Sequence, residues 1–190
     1  WKDILIQNGA KHGDKIGLAM LLGRISYLSL TFAAFELGLK LVILIKPYND
    51  GDLQNPKVIK HYPLDILVID KECVPPIVFD NFINNSKISL ILEDNERLFN
   101  RYSITKKYSE NVFANPTDTL LLCTSSGNTG EPKSIDHTHE FFYDLCSINW
   151  KPLELNETDR VLHLQTYQHG AAIGVFFIPA DRKRTRLNSS

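Results

Sequence analysis

The chain has 190 residues, a formal net charge of -1 and 43% hydrophobic residues, enough for one sizeable domain with a proper core. That charge, and the absence of a basic run interleaved with aromatics inside the chain, argue against a nucleic-acid surface. Cys73, Cys123 and Cys146 show no C-x-x-C spacing, so they imply neither a disulfide framework nor a zinc site, and they suit a reducing cytosol.

No apolar run approaches the length of a membrane span, and no charged-then-apolar leader opens the chain. The start at Trp1 rather than Met reads as a piece cut from something longer. Residues 15–22 (KIGLAMLL) read as a buried strand, and residues 26–39 as a helix with Leu28, Phe32, Phe35 and Leu39 on one stripe and Gly38 near its stop. Residues 41–45 (LVILI), 65–70 (DILVID) and 89–93 (SLILE) read as further strands. Short helices are expected at 56–61 and 78–83, with Asp50-Gly51 as a turn. Strands alternating with helices imply an α/β fold with a largely parallel sheet covered on both faces.

The apolar run 120–123 (LLLC) then leads into Ser125-Ser126-Gly127-Asn128-Thr129-Gly130-Glu131-Pro132-Lys133. Its glycines let backbone N–H groups turn toward an anion, its hydroxyls add donors, and Lys133 adds a point charge suited to phosphate. The same residue types also make ordinary turns. The spacing is not that of a Walker A loop, because no lysine directly follows Gly130.

Beyond this stretch, Thr138 can cap a helix with Phe141, Leu145 and Ile148 on its apolar face, broadened by Phe142 and Cys146. Asp136, Glu140 and Asp144 read as a solvated face. Residues 160–165 (RVLHLQ) read as a strand, with His163 a hydrogen-bonded core residue. His12 and His61 read as surface residues. His137 and His139 stand at i, i+2 with no third ligand at a defined spacing, so no metal site is expected, and His139 is assigned to the helix start near the loop. G-x-S-x-G is absent, so no hydrolase triad is expected around Ser126.

The nine residues from Ser125 to Lys133 closely resemble the [ST]-S-G-[ST]-[ST]-G-x-P-K signature of the adenylate-forming (ANL) superfamily; only Asn128 departs, keeping a donor but losing the hydroxyl. Gly13-Asp14-Lys15-Ile16 resembles the G-D-x-V that opens that family's first core strand, and the strand ending at Lys46-Pro47 sits where the family has A-x-x-x-x-G-x-x-x-x-P-L. Tyr167-Gln168-His169-Gly170 resembles its P-x-x-H-x-x-G turn, without the proline. The resemblance implies an N-terminal fragment of an AMP-forming carboxylate ligase. Its cofactors would be ATP and Mg2+, its partners a carboxylic acid and the thiol of CoA or a carrier protein, and its location cytoplasmic. Ser125, Ser126, Gly127, Asn128, Thr129, Gly130 and Lys133 would bind the nucleotide, with Lys133 and His169 as catalytic candidates. A peptide-synthetase adenylation domain, a luciferase-like enzyme and a non-catalytic nucleotide- or anion-binding module are the competing readings.

After Pro179-Ala180 the composition switches to DRKRTRLNSS, which resembles a sequencing-library adapter translated in frame (DRKSTRLNSS), apart from Arg184. The expected division is therefore a partial domain over 1–180 and a non-native tail over 181–190. A basic tail for an acidic partner is the alternative. Without the tail the formal charge becomes -4.

Overall fold

The computed structural model describes residues 1–19, 25–42, 64–70, 88–92, 114–125 and 133–150. Among these residues three helices, α1 (Lys2–Gln7), α2 (Ile25–Glu36) and α3 (His139–Trp150), accompany six strands. These are β1 (Lys15–Ala19), β2 (Lys40–Val42), β3 (Ile66–Asp70), β4 (Ile88–Leu92), β5 (Thr119–Ser125) and β6 (Lys133–Thr138). They form one sheet in the order β4-β3-β1-β2-β5-β6. β1 to β5 are mutually parallel, and among the described strands only β6 runs antiparallel, against β5. The α/β fold and the largely parallel sheet are thus as the sequence implies.

The parallel strands form where apolar runs demand burial on both faces. Ile66 and Val68 of β3 pack into the main core, and Leu67 and Ile69, facing the other way, are equally buried. A parallel sheet requires this of its strands, since crossover connections lie on its faces. The core on one face joins Ile16 and Leu18 of β1, Leu41 of β2 and Leu121 of β5 to α1 and α2 through Leu5, Leu30 and Ala34.

Of the expected stripe, Phe35 and Leu39 are buried in the core and Leu28 and Phe32 only partly buried, while α2 also buries Tyr27, Leu30, Thr31 and Ala34. The helix is apolar round much of its circumference, so periodicity alone left its inward face open. The buried Thr31 hydroxyl donates to the Tyr27 carbonyl (2.9 Å), which removes the cost of an unpaired polar group. Gly38 (φ +66°) ends the helix: its N–H bonds Phe35 O, and Leu39 N–H bonds Ala34 O. That is a Schellman stop, which needs a left-handed residue. Lys2 and Glu36 form an ion pair that ties α1 to the end of α2.

α3 buries the two residues that broaden its expected stripe rather than those at its centre. Phe142 and Cys146 are 5% exposed, while Phe141 and Ile148 are 45% and 68% exposed. The adjacent Phe141 and Phe142 project about 100° apart, and packing against the core selected the second. Thr138 does cap the helix, its hydroxyl oxygen accepting from Phe141 N–H at 3.2 Å. The helices expected at 56–61 and 78–83, the strand at 160–165 and the segment around His169 lie outside the described residues.

Candidate phosphate site

β5 carries the chain to Ser125 at the carboxyl edge of the parallel strands, and β6 starts its return at Lys133. The two residues are direct partners in the antiparallel ladder, which continues through Cys123↔Ile135 and Leu121↔His137 to Thr119↔Thr138. The sequence between them, 126–132, therefore joins the tips of two paired strands. Ser126, Gly127, Asn128, Thr129 and Gly130 lie in that connection, outside the described residues. The carboxyl edge is where ligands bind in open α/β sheets.

This placement differs from a Walker-type site in its physics. The segment leads into a strand rather than a helix, so the element that follows it supplies no helix dipole to an anion. Favourable donors must come from loop N–H groups, hydroxyls and the lysine charge. The donor set fits a polyphosphate. Among the described residues no group of three His, Cys, Asp or Glu could hold a metal ion, so residues toward Mg2+ are not assigned.

The opposite, amino edge is held by three aspartates. Lys11 N–H donates to the Asp14 carboxylate (2.9 Å), Lys15 N–H to Asp65 (3.0 Å), and Asn115 N–H to Asp118 (2.6 Å). His12, expected as a plain surface residue, has its Nε2 2.7 Å from Asp118 Oδ2. The Asn115 amide first, then His12, hold the Asp118 carboxyl below the usual carboxylate range. His139, expected near the loop, instead opens α3 at the root of the hairpin, the end away from the loop. Its ring stands edge-on to Phe35 (6.1 Å), and its buried Nε2 has no hydrogen-bond partner among the described residues. Burial lowers its pKa, partly offset by the charge of Asp118. His137 stacks on Phe141 (4.8 Å). Burial pushes the Cys123 thiol up, which disfavours the reactive thiolate.

Sequence reasoning missed the Asp118 junction because His12 and Asp118 are 106 positions apart and neither belongs to a local motif. Asn115-Pro116-Thr117-Asp118 did carry a turn signal, since Asp and Asn fold their own backbone in such turns.

Several solved structures share this fold. They include the inhibitor-bound N-terminal domain of FACL13 from Mycobacterium tuberculosis (TM-score 0.77, 19% identity, covering 94% of this chain and 44% of that one). Another is o-succinylbenzoate CoA synthetase (MenE) from Bacillus subtilis with its acyl-adenylate intermediate (TM-score 0.72, 18% identity, 93% and 43%). Among curated proteins, D-lysergyl-peptide-synthetase subunit 1 of Claviceps purpurea is 36% identical over 62 residues, 33% of this chain and 2% of that one. The profile of the AMP-binding enzyme family matches residues 3–181, and the chain belongs to that family. It spans less than half of these solved relatives and a small part of the curated one.

Proposed function

We propose that the chain is part of the large N-terminal domain of an ATP-dependent, AMP-forming carboxylate ligase, and that residues 125–133 cradle the β- and γ-phosphates. One observation carries this reading: the nine-residue phosphate signature stands across the tip of the β5–β6 hairpin in a chain of the AMP-binding family. In the reaction a carboxylate attacks the α-phosphorus of ATP, giving an acyl-adenylate and pyrophosphate. Charge gathers on the leaving pyrophosphate as that bond breaks, and fixed donors aimed there stabilise it. Gly127 and Gly130 supply approachable backbone, Ser125, Ser126 and Thr129 hydroxyls, Asn128 an amide, and Lys133 a positive charge. Mg2+ would neutralise further phosphate charge. His169, with Tyr167 beside it, is retained as the gate to the acyl site.

The second half-reaction passes the acyl group to a thiol. Likeness in fold to a CoA synthetase supports CoA as acceptor. The 36% identity to a peptide synthetase supports a carrier-protein thiol instead, and this is the second reading. A partial domain over 1–180, an adapter-like tail over 181–190 and a cytoplasmic location complete the proposal; no described helix is long and apolar enough to cross a membrane.

Calorimetric titration of inorganic pyrophosphate into the chain tests the phosphate reading. A charge-assisted contact is worth roughly 1.5–3 kcal/mol, so Lys133→Ala should weaken binding about ten- to a hundred-fold. Equal affinity in both chains would contradict the assignment.

A further inference from the structure

We propose that Asp118 is a positioning residue for the phosphate segment, acting as a register lock at the root of the β5–β6 hairpin. The inference rests on the reading of residues 125–133 as the phosphate cradle.

The hairpin needs such a lock. Its ladder is regular from Ser125↔Lys133 to Leu121↔His137, but the register shifts between Thr119 and Leu121. An irregularity of this kind leaves an extra residue on one strand, so a neighbouring register is only one residue away. A one-residue slip would set Ser134 opposite Ser125, change the length of the connecting segment and invert every side chain of β6 across the sheet. Among the described strands, β6 pairs only with β5. No described strand therefore fixes its far edge.

Asp118 sits directly beside the irregularity and ties three parts of the chain together. Its Oδ2 accepts from Asn115 N–H (2.6 Å), Asn115 Nδ2 (3.3 Å) and His12 Nε2 (2.7 Å). Its N–H donates to Asn115 O (3.0 Å), closing the 115–118 turn. Its carbonyl accepts from His139 N–H (3.1 Å), just past the end of β6, and Pro116 O accepts from Glu140 N–H (2.9 Å). His12 in turn lies against Gly38, whose carbonyl accepts from Gly13 N–H (2.9 Å). Backbone carbonyls of the 115–118 turn thus tie where β5 begins to where β6 ends, while the Asp118 carboxylate holds that turn closed and references it to the segment before β1. Backbone pairing carries that alignment along the ladder to Ser125 and Lys133.

The experiment compares the intact chain with Asp118→Ala and Asp118→Asn by amide hydrogen exchange and by titration with inorganic pyrophosphate. Asp118→Ala is expected to speed exchange in the β5–β6 ladder about tenfold, as loss of charge-assisted bonds should, and to weaken pyrophosphate binding by a similar factor. Exchange in the β1–β3 ladder should stay within about twofold, because additivity fails only among contacting groups. Asp118→Asn keeps an oxygen acceptor for Asn115 N–H and should recover most of the protection and affinity. Equal acceleration in both ladders would show general destabilisation and overturn the lock. Unchanged pyrophosphate affinity in a loosened hairpin would overturn the positioning role. An unaltered chain that binds no pyrophosphate would instead remove the phosphate reading, and the positioning role with it, whatever the exchange shows.

Discussion

Replacing Gly38 by alanine probes the amino-edge junction through a single carbon atom. Gly38 has φ +66°, and a Cβ there would lie 2.3 Å from His12 Cδ2 and 2.6 Å from Nε2. Holding an L-residue in the left-handed region costs roughly 1–2 kcal/mol. The steric clash is relieved if the His12 ring, 46% exposed, swings into solvent, but that movement breaks its bond to Asp118. So exposed a pair contributes at most about 1 kcal/mol after solvent screening. The expected loss on urea unfolding is therefore roughly 2–3 kcal/mol. In a His12→Ala background the ring is gone, and Gly38→Ala should cost only the backbone part, about 1–2 kcal/mol. The two substitutions should thus be non-additive, with less loss in the double variant than the singles sum to. Strict additivity, or a cost below about 0.5 kcal/mol for Gly38→Ala, would refute the described packing of His12 on Gly38.

Stability should rise with pH on the acid side. The His139 pKa is lowered from 6.5 in the fold, so below that pH the unfolded chain binds the proton first and the folded state loses ground. The Asp118 pKa is lowered from 3.8, so its contribution is present above that value and is lost as pH falls through the folded pKa. Urea midpoints measured from pH 3 to 8 check both parts (about 1.4 kcal/mol per unit of pKa difference), and His139→Phe should flatten the part just below 6.5. Leu121, fully buried in the core, should cost about 2–5 kcal/mol as Leu121→Ala, read from the same unfolding curves. The chain alone should give no carboxylate-dependent exchange of labelled pyrophosphate into ATP; robust exchange would contradict its reading as part of an enzyme.

The parallel strands were legible because both-face burial forces near-continuous apolar runs, as in DILVID, and Gly38 and Thr138 were legible because helix ends need such residues. β6 was not read. Its sequence KSIDHT has one aliphatic residue, Ile135, itself 44% exposed, and it becomes a strand only by pairing with β5. The six-residue α1 was also missed, since so short a helix depends on Leu5 being buried in the core rather than on local propensity. For the site, the order of residues 125–133 carried the chemistry, but its setting across two antiparallel strands follows from non-local pairing. The choice between Phe141 and Phe142, like the meeting of His12 with Asp118, is decided by what the fold brings alongside.

The central claim is that residues 125–133 act on the departing pyrophosphate. Its most direct test measures the two half-reactions separately in the complete enzyme carrying Lys133→Ala. Adenylate formation should slow about ten- to a hundred-fold, matching the roughly 1.5–3 kcal/mol of a charge-assisted phosphate contact. Thiol transfer from preformed acyl-adenylate should proceed nearly unchanged, because pyrophosphate has already left. Equal slowing of both steps would show that Lys133 holds the fold rather than the phosphates.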